Sequence, residues 1–355
     1  MEPIKVDMLP IKYNIDKELL NLISEANEKY GEYKSNLKNS QFDSKFFLDS
    51  IILSESLKST QIEGTQISQD EMYYLKYMPK TDDNLEIQNL KKVIEYAKDY
   101  LKQGKIDIKF LNTIHKILLD SVRGNDRQPG QIRSTQNWIA PRGVGIEGAI
   151  FVPPVPQEIY TLLQNLYEYM NDAFIDPLLV HIALAHAQFE TIHPYSDGNG
   201  RLGRALIPVQ MAMLEKQKPI LFMSEILEVY KPSYQRYLME YRQGNYRGYL
   251  KFFSQCIIDQ CNAFILRLHK IKTIYEEDMK TIEQVHSGMV YKVMPVIMSQ
   301  IVFTKKEIES LTGVSKATVS RIINRLEELE VITKDDSVMK KGYKYKKIYD
   351  LFVGK

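Results

Sequence analysis

Apolar residues recur at helical spacing along most of the chain. From Asp16 onward, Leu19, Leu20, Leu22, Ile23 and Ala26 outline one face of an amphipathic helix, with Asp16 placed to cap it. The same rhythm predicts helices over residues 45–57, 89–103, 106–119, 156–170, 176–192, 202–214 and 251–286; in the second of these Leu90, Val93, Ile94 and Ala97 share a face. Ser68, Gln69, Asp70 and Glu71 form a capping turn into a short helix, and the polar residues 79–86 read as a loop. Two segments break the pattern. Residues 122–154 are rich in Gly, Pro and Arg, with short β-prone pieces at 137–140 and 149–152. After a linker at 286–288, a short helix beginning near Phe303, a turn at Thr312, Gly313 and Val314, and a second helix over 315–329 precede β-prone pieces at 331–334 and 343–352. A mainly α chain is expected.

Composition narrows the functional classes. A chain of 355 residues can hold two or more domains and a substantial core. Its 47 basic and 45 acidic residues nearly cancel, so nucleic-acid contact, where it occurs, has to be local. Cys256 and Cys261 lie in one apolar helical segment at a spacing that suits neither a disulfide nor a metal site, in keeping with a reducing cytoplasm. The opening M-E-P-I-K-V-D has no secretory pattern, and no apolar run of about 18 residues follows, so a cytoplasmic protein without membrane spans is expected.

The chemistry is concentrated in residues 185–204, A-H-A-Q-F-E-T-I-H-P-Y-S-D-G-N-G-R-L-G-R, which predict helix, tight loop and helix. Pro194 turns the preceding residue away from helical geometry, and Gly198 and Gly200 let the backbone approach a ligand. The N–H groups of Gly198, Asn199, Gly200 and Arg201 at a helix start form an anion cradle suited to phosphate. His181 and His186 are five apart, a poor spacing for joint metal ligation, while His186 and Glu190 are placed to support one another or the loop. His115 reads as helix packing or a supporting polar contact.

This stretch resembles the signature of the Fic family, H-P-F-x-D/E-G-N-G-R-x-x-R, and matches it at every functional position, with Tyr195 where Phe is usual. The resemblance covers roughly residues 45–255 and implies Mg²⁺-dependent transfer of AMP from ATP to a Ser, Thr or Tyr hydroxyl of a protein. It gives His193 the role of base and Asp197 that of Mg²⁺ ligand. Gly198, Asn199, Gly200 and Arg201 would hold the phosphates, and Arg201 and Arg204 the β and γ phosphates; these roles agree with the side-chain chemistry. Ser59, Glu63 and Gly64 resemble the family's S-x-x-x-E-G inhibitory motif, which implies that Glu63 reaches Arg204 and blocks the γ-phosphate. In residues 122–154, P-G-x-x-R followed by P-P resembles the family's β-hairpin flap, here around Trp138, Ile146, Ile150 and Phe151, on which a target strand docks. The rings near Tyr249, which stands where many relatives have Trp, read mostly as core.

The C-terminal pattern resembles a winged helix-turn-helix, with the wing around Lys340, Lys341 and Gly342 and with Lys316, Thr318, Arg321 and Arg325 as candidate DNA contacts; acidic Glu327, Glu328 and Glu330 oppose that reading. The expected organisation is an N-terminal inhibitory region (1–100), a Fic core (101–255), a helical linker (256–289) and a winged helix (290–355). The alternatives left open are a nucleotide-sensing DNA-binding regulator, removal of AMP from a modified protein, and transfer of another nucleotide. The substrate protein, including the chain itself, and a homodimer also stay open.

Overall fold

The structure, a computed structural model, describes residues 2–102, 104–122, 128–141, 143–172, 175–336 and 341–354. Its helices are α1 (Lys17–Lys38), α2 (Ser44–Glu63), α3 (Asp82–Tyr100), α4 (Ile108–Leu118), α5 (Ile159–Asn171), α6 (Leu178–Ile192), α7 (Asn199–Glu215), α8 (Ser224–Val229), α9 (Lys231–Arg242), α10 (Tyr246–Thr281), α11 (Val290–Gln300), α12 (Lys305–Thr312), α13 (Lys316–Glu328) and α14 (Lys346–Val353). Three short strands, β1 (Val302–Thr304), β2 (Thr333–Lys334) and β3 (Gly342–Lys344), complete the mainly helical fold. Among the described residues no helix is long and apolar enough to cross a membrane.

Contacts gather the chain into two units: Met1–Gly31, Glu55–Gln66 and Thr81–Cys261 form the first, and Glu32–Ser54, Ile67–Lys80 and Asn262–Lys355 the second. The units interleave in sequence, whereas the pattern of elements suggested four consecutive blocks. Helices α1, α2 and α10 each contribute to both, and a continuous helix carries no compositional break where its surroundings change.

In the first unit α6 is the central element. It is apolar on every side and buried from Leu179 to Ile192, as a helix enclosed by others must be. Helices α5, α7 and α9 pack against it, and α3 and α4 pack on α7. Asp16 caps α1 as expected, accepting from the Leu19 N–H at 2.9 Å. Helix α3 starts within the stretch expected as a loop. The Thr81 hydroxyl accepts from the Asn84 N–H, and Asp82 and Asp83 face the positive helix end, so capping and charge extend the helix beyond its apolar stripe.

In the second unit Ser68, rather than Asp70, supplies the cap before Glu71–Tyr74. The Ser68 N–H donates to Glu71 Oε2 at 2.8 Å, and the Glu71 N–H to Ser68 Oγ at 3.3 Å. The three strands form an antiparallel sheet of order β1-β3-β2, in which Phe303 faces Tyr343 and stacks on it. Thr304 and Glu307 make a capping box for α12, and Ser315 caps α13. The expected second β segment is shorter than its composition suggested. Only Gly342–Lys344 pairs, and the chain then enters α14, because Ile348, Tyr349 and Phe352 fall on one buried helical face. Phe352 lies against Phe46, Phe47 and Tyr73. Lys340 of the expected wing lies outside the described residues.

Candidate active site

Helix α6 ends where His193 adopts a left-handed conformation (φ 49°) and donates its N–H to the Phe189 carbonyl at 3.0 Å. The following Pro194 prevents helix continuation, and the chain loops through Tyr195 to Asp197 before Gly198 (φ 77°) starts α7. Two clamps fix this loop. The Tyr195 N–H donates to Asn199 Oδ1 at 2.9 Å, and Asn199 Nδ2 returns a bond to the Tyr195 carbonyl at 2.8 Å. Asn199, expected to assist phosphate binding, thus also holds the loop's shape through its side-chain amide. The second clamp is Arg133, the arginine of P-G-x-x-R. It is buried, and its Nε donates to the His193 carbonyl at 2.9 Å while one NH₂ group donates to the Pro154 carbonyl at 2.5 Å.

His115 bridges the same loop from α4. Its Nδ1 accepts the Gly130 N–H at 2.8 Å, so the neutral ring donates from Nε2 to the Asp197 carbonyl at 3.0 Å and stacks on Tyr195 at 3.8 Å. Burial lowers its pKa to about 4, which agrees with a neutral supporting residue. His186 and Glu190 do not bond each other. His186 donates from Nδ1 to the Gly203 carbonyl (3.1 Å) and accepts from the Tyr234 hydroxyl (2.8 Å), while Glu190 lies against the Cα of Gly203. His181 stacks on Tyr169 at 4.2 Å.

His193 stands at the end of α6, where the loop begins. Burial, followed by the positive charges of Arg242 and Arg133, lowers its pKa to about 4, so the imidazole is neutral and able to accept a proton near pH 7. Both signature arginines are almost wholly buried and meet carboxylates. An NH₂ group of Arg204 donates to Glu63 Oε1 at 2.6 Å and to the Ser59 carbonyl at 2.8 Å, and its Nε donates to Ser59 Oγ at 2.9 Å. Ser59 and Glu63 are one turn apart at the end of α2, which closes at Gly64 (φ 107°). Partial desolvation opposes the charge of Glu63, whose side chain is 44% exposed, but Arg204 and then Arg201 hold its pKa below the ordinary value. Its carboxylate fills the space beside Gly200 where a side chain would stand, directly over the first turn of α7. Arg201 lies 3.4 Å from Asp197 Oδ2 and 3.1 Å from Glu86 Oε2, and Glu86 belongs to no sequence motif.

Residues 105–211 match the sequence model of the Fic/DOC family, and residues 20–101 match that of the Fic/DOC family N-terminal region. The chain belongs to the Fic/DOC family. It is 26% identical over 179 residues to a protein adenylyltransferase Fic of Aedes aegypti, covering 49% of this chain and 33% of that protein. It is 26% identical over 206 residues to that of Culex quinquefasciatus, covering 56% and 38%. The chain thus spans between a third and two-fifths of the length of these curated relatives. Among solved structures, a Fic family protein from Desulfovibrio desulfuricans has a TM-score of 0.58 at 18% identity over 94% of this chain and 97% of that one. A Fic domain containing signaling protein from Bacteroides thetaiotaomicron has a TM-score of 0.55 at 19% identity, covering 68% and 95%. These likenesses establish a Fic fold.

Around the Fic signature, the flap is less regular than a hairpin. Ile139 and Phe151 form one antiparallel bridge, and Ile146–Gly148 is a 3₁₀ turn, since Pro141 and the glycines at 143, 145 and 148 limit strand length. Trp138, Ile139 and Ile150 are exposed and Ile146 partly so, whereas Phe151 is buried under Arg242, whose guanidinium lies 3.7 Å from the ring. The Phe151 ring is therefore covered, and its backbone N–H and carbonyl both pair with Ile139 inside the flap. Residues 123–127 and 142 of this segment lie outside the described residues. Tyr234, Tyr241, Tyr249 and Phe253 are core residues, as expected.

Asp197 is the single signature carboxylate for a metal. Among the described residues no group of three or more His, Cys, Asp or Glu side chains gathers as a metal site. A Mg²⁺ ion bound through one carboxylate, with phosphates and water completing its shell, fits this donor set. On α13 Lys316 and Arg321 are exposed. The Thr318 hydroxyl lies 3.0 Å from Ser315 Oγ, and Arg325 pairs with Glu328 at 2.8 Å.

Proposed function

We propose that this chain transfers AMP from ATP to a Ser, Thr or Tyr hydroxyl of a protein, with Glu63 as an internal brake. The observation that carries this reading is the Glu63–Arg204 contact over the amide-lined start of α7, beside a neutral His193. ATP laid along α7 would place its phosphates on the Gly198 to Arg201 backbone, with Arg201 and Arg204 on the β and γ groups. His193 takes the proton of the target hydroxyl, whose oxygen attacks the α-phosphorus. The bond from that phosphorus to the α,β-bridging oxygen breaks, and pyrophosphate leaves with both bonding electrons. When bound, Mg²⁺ would neutralise charge on the phosphate oxygens, with Asp197 as its protein ligand. The target backbone pairs beside Ile139 and Phe151, flanked by the exposed Trp138 and Ile150.

The test compares labels on ATP. With the Glu63→Gly variant of the full chain, the α-³²P label is expected on protein and the γ-³²P label is not. Transfer of the γ label would replace AMP transfer by phosphorylation, and stronger labelling from UTP or GTP would change the nucleotide.

For the C-terminal helix-turn-helix we propose DNA contact through the exposed Lys316 and Arg321 at the start of α13. Salt-dependent retention of duplex DNA by the full chain is expected, with loss in a Lys316→Glu, Arg321→Glu double variant. Equal binding by that variant, or no binding at low salt, removes this reading.

A further inference from the structure

Glu86 lies in the second turn of α3, in a stretch whose composition reads as solvated surface. The fold carries it against Arg201, with 3.1 Å between Glu86 Oε2 and an Arg201 terminal nitrogen. The two side chains are only 17% and 4% exposed, so this is a largely desolvated ion pair rather than a surface one. The other terminal nitrogen of Arg201 lies 3.4 Å from Asp197 Oδ2. The guanidinium thus lies between a carboxylate of the signature loop and one of a separate helix; its Nε and the terminal nitrogen facing Glu86 are buried without a hydrogen-bond partner, so the Glu86 contact is an ion pair held by charge.

Glu86 and Glu63 are differently placed. Glu63 ends α2 next to Gly64 and fills the space over Gly200, whereas Glu86 is not among the atoms closest to that space. Glu86 instead stands within a capped helix that packs on α7, between the buried Asn84 and the buried Ile87 and Leu90. The Thr65 hydroxyl also donates to its Oε2, at 3.4 Å. A carboxylate held this way steadies a long cationic side chain and compensates its buried charge, without occupying the phosphate path.

Resting on the AMP-transfer reading above, we infer that Glu86 is a positioning residue that orients Arg201 for the ATP polyphosphate. A flexible arginine loses rotamer freedom when it binds phosphate, and one already anchored loses less.

The experiment uses the full chain carrying Glu63→Gly, so that the phosphate path is open, and adds Glu86→Gln, Glu86→Asp or Glu95→Gln. Glu86→Gln is expected to raise the KM for ATP, and the Kd for ATP by titration, about tenfold, with kcat changed less than about threefold. Adenosine affinity is expected to stay unchanged, because a general disturbance of the domain would lower both. Glu86→Asp should show a smaller effect of the same kind. Glu95→Gln, on the exposed face of α3, should show none.

An unchanged KM and Kd for ATP, an equal loss of ATP and adenosine affinity, or faster labelling by Glu86→Gln would each overturn the inference; the last would make Glu86 a second brake. Failure of Glu63→Gly to take any α label would sink the AMP-transfer reading, while the ATP and adenosine titrations would still report on Glu86.

Discussion

Replacing Glu63 by glycine is expected to raise AMP incorporation at least about tenfold and to lower the melting temperature. The rise follows from electrostatics and space. A carboxylate held about 4 Å from a phosphate charge opposes it by about 4 kcal/mol at the effective dielectric of a protein surface, and salt screening leaves part of that. Glu63 also occupies the volume over Gly200 and takes up the Arg204 terminus that a γ-phosphate would use. The fall in stability follows from the other partner. Arg204 is 2% exposed and would lose its charged hydrogen-bond partner, keeping its Ser59 bonds and the nearby Tyr234 and Glu190, so its buried charge is less compensated.

Activity and stability moving in opposite directions separate release of a lock from general loosening of the fold. Glu63→Gln, which keeps the shape and removes the charge, should fall between wild type and Glu63→Gly. Label incorporation from α-labelled ATP and thermal melting of the three proteins check this. Equal labelling throughout would remove Glu63 from regulation.

The pH dependence of the lock has a definite sign. The folded pKa of Glu63 lies below its ordinary value, so the charge that holds Arg204 is present above the carboxylate range and is lost only as pH falls through the lowered value. Under the proposed brake, inhibition is therefore expected to be insensitive to pH between about 5 and 8, with release by displacement of the end of α2 rather than by protonation. Gly64, with its positive φ just beyond that end, is a suitable place for such a displacement to start.

How legible the site was depended on whether its chemistry is contiguous in the chain. His193, Asp197, Arg201 and Arg204 sit in one short stretch whose resemblance to the Fic signature singled them out, and the structure gathers them at one loop and helix start. Glu63 was legible because its neighbours form a motif that resembles a known one. Glu86 was not, because a single acid on a polar stretch looks the same whether it faces water or an arginine; only the packing of α3 on α7 distinguishes them. Arg133 showed itself as part of P-G-x-x-R, but nothing local announced that it grips the His193 carbonyl. The loop bonds of Asn199 were not legible either, since a loop asparagine can as readily close its own backbone as face a ligand. In the fold, composition favoured β structure in the flap and after Tyr343. Proline and glycine restricted the first to one bridge, and the spacing of Ile348, Tyr349 and Phe352 turned the second into helix.

Replacing His193 by alanine in the Glu63→Gly background is expected to lower kcat by about 10²–10⁴-fold while the KM for ATP changes little, the range for loss of a positioned general base. The pH profile gives a second, independent test. With its folded pKa lowered to about 4, His193 is a competent base above that value and loses activity as pH falls through it. An unperturbed imidazole would lose activity already around pH 6.5. The value of kcat/KM should therefore stay nearly constant from about pH 5.5 to 8, and removal of the Glu63 negative charge, which raises the His193 pKa, shifts the acid limb lower still. Arg242 acts in the opposite sense: it is the larger of the two charges that depress His193. Substituting Arg242 by Gln should move the acid limb upward toward the ordinary histidine range, by removing one of the charges that add to the effect of burial. A profile falling at pH 6.5 before any substitution at Arg242 would mean that His193 is not held in its neutral form by this environment.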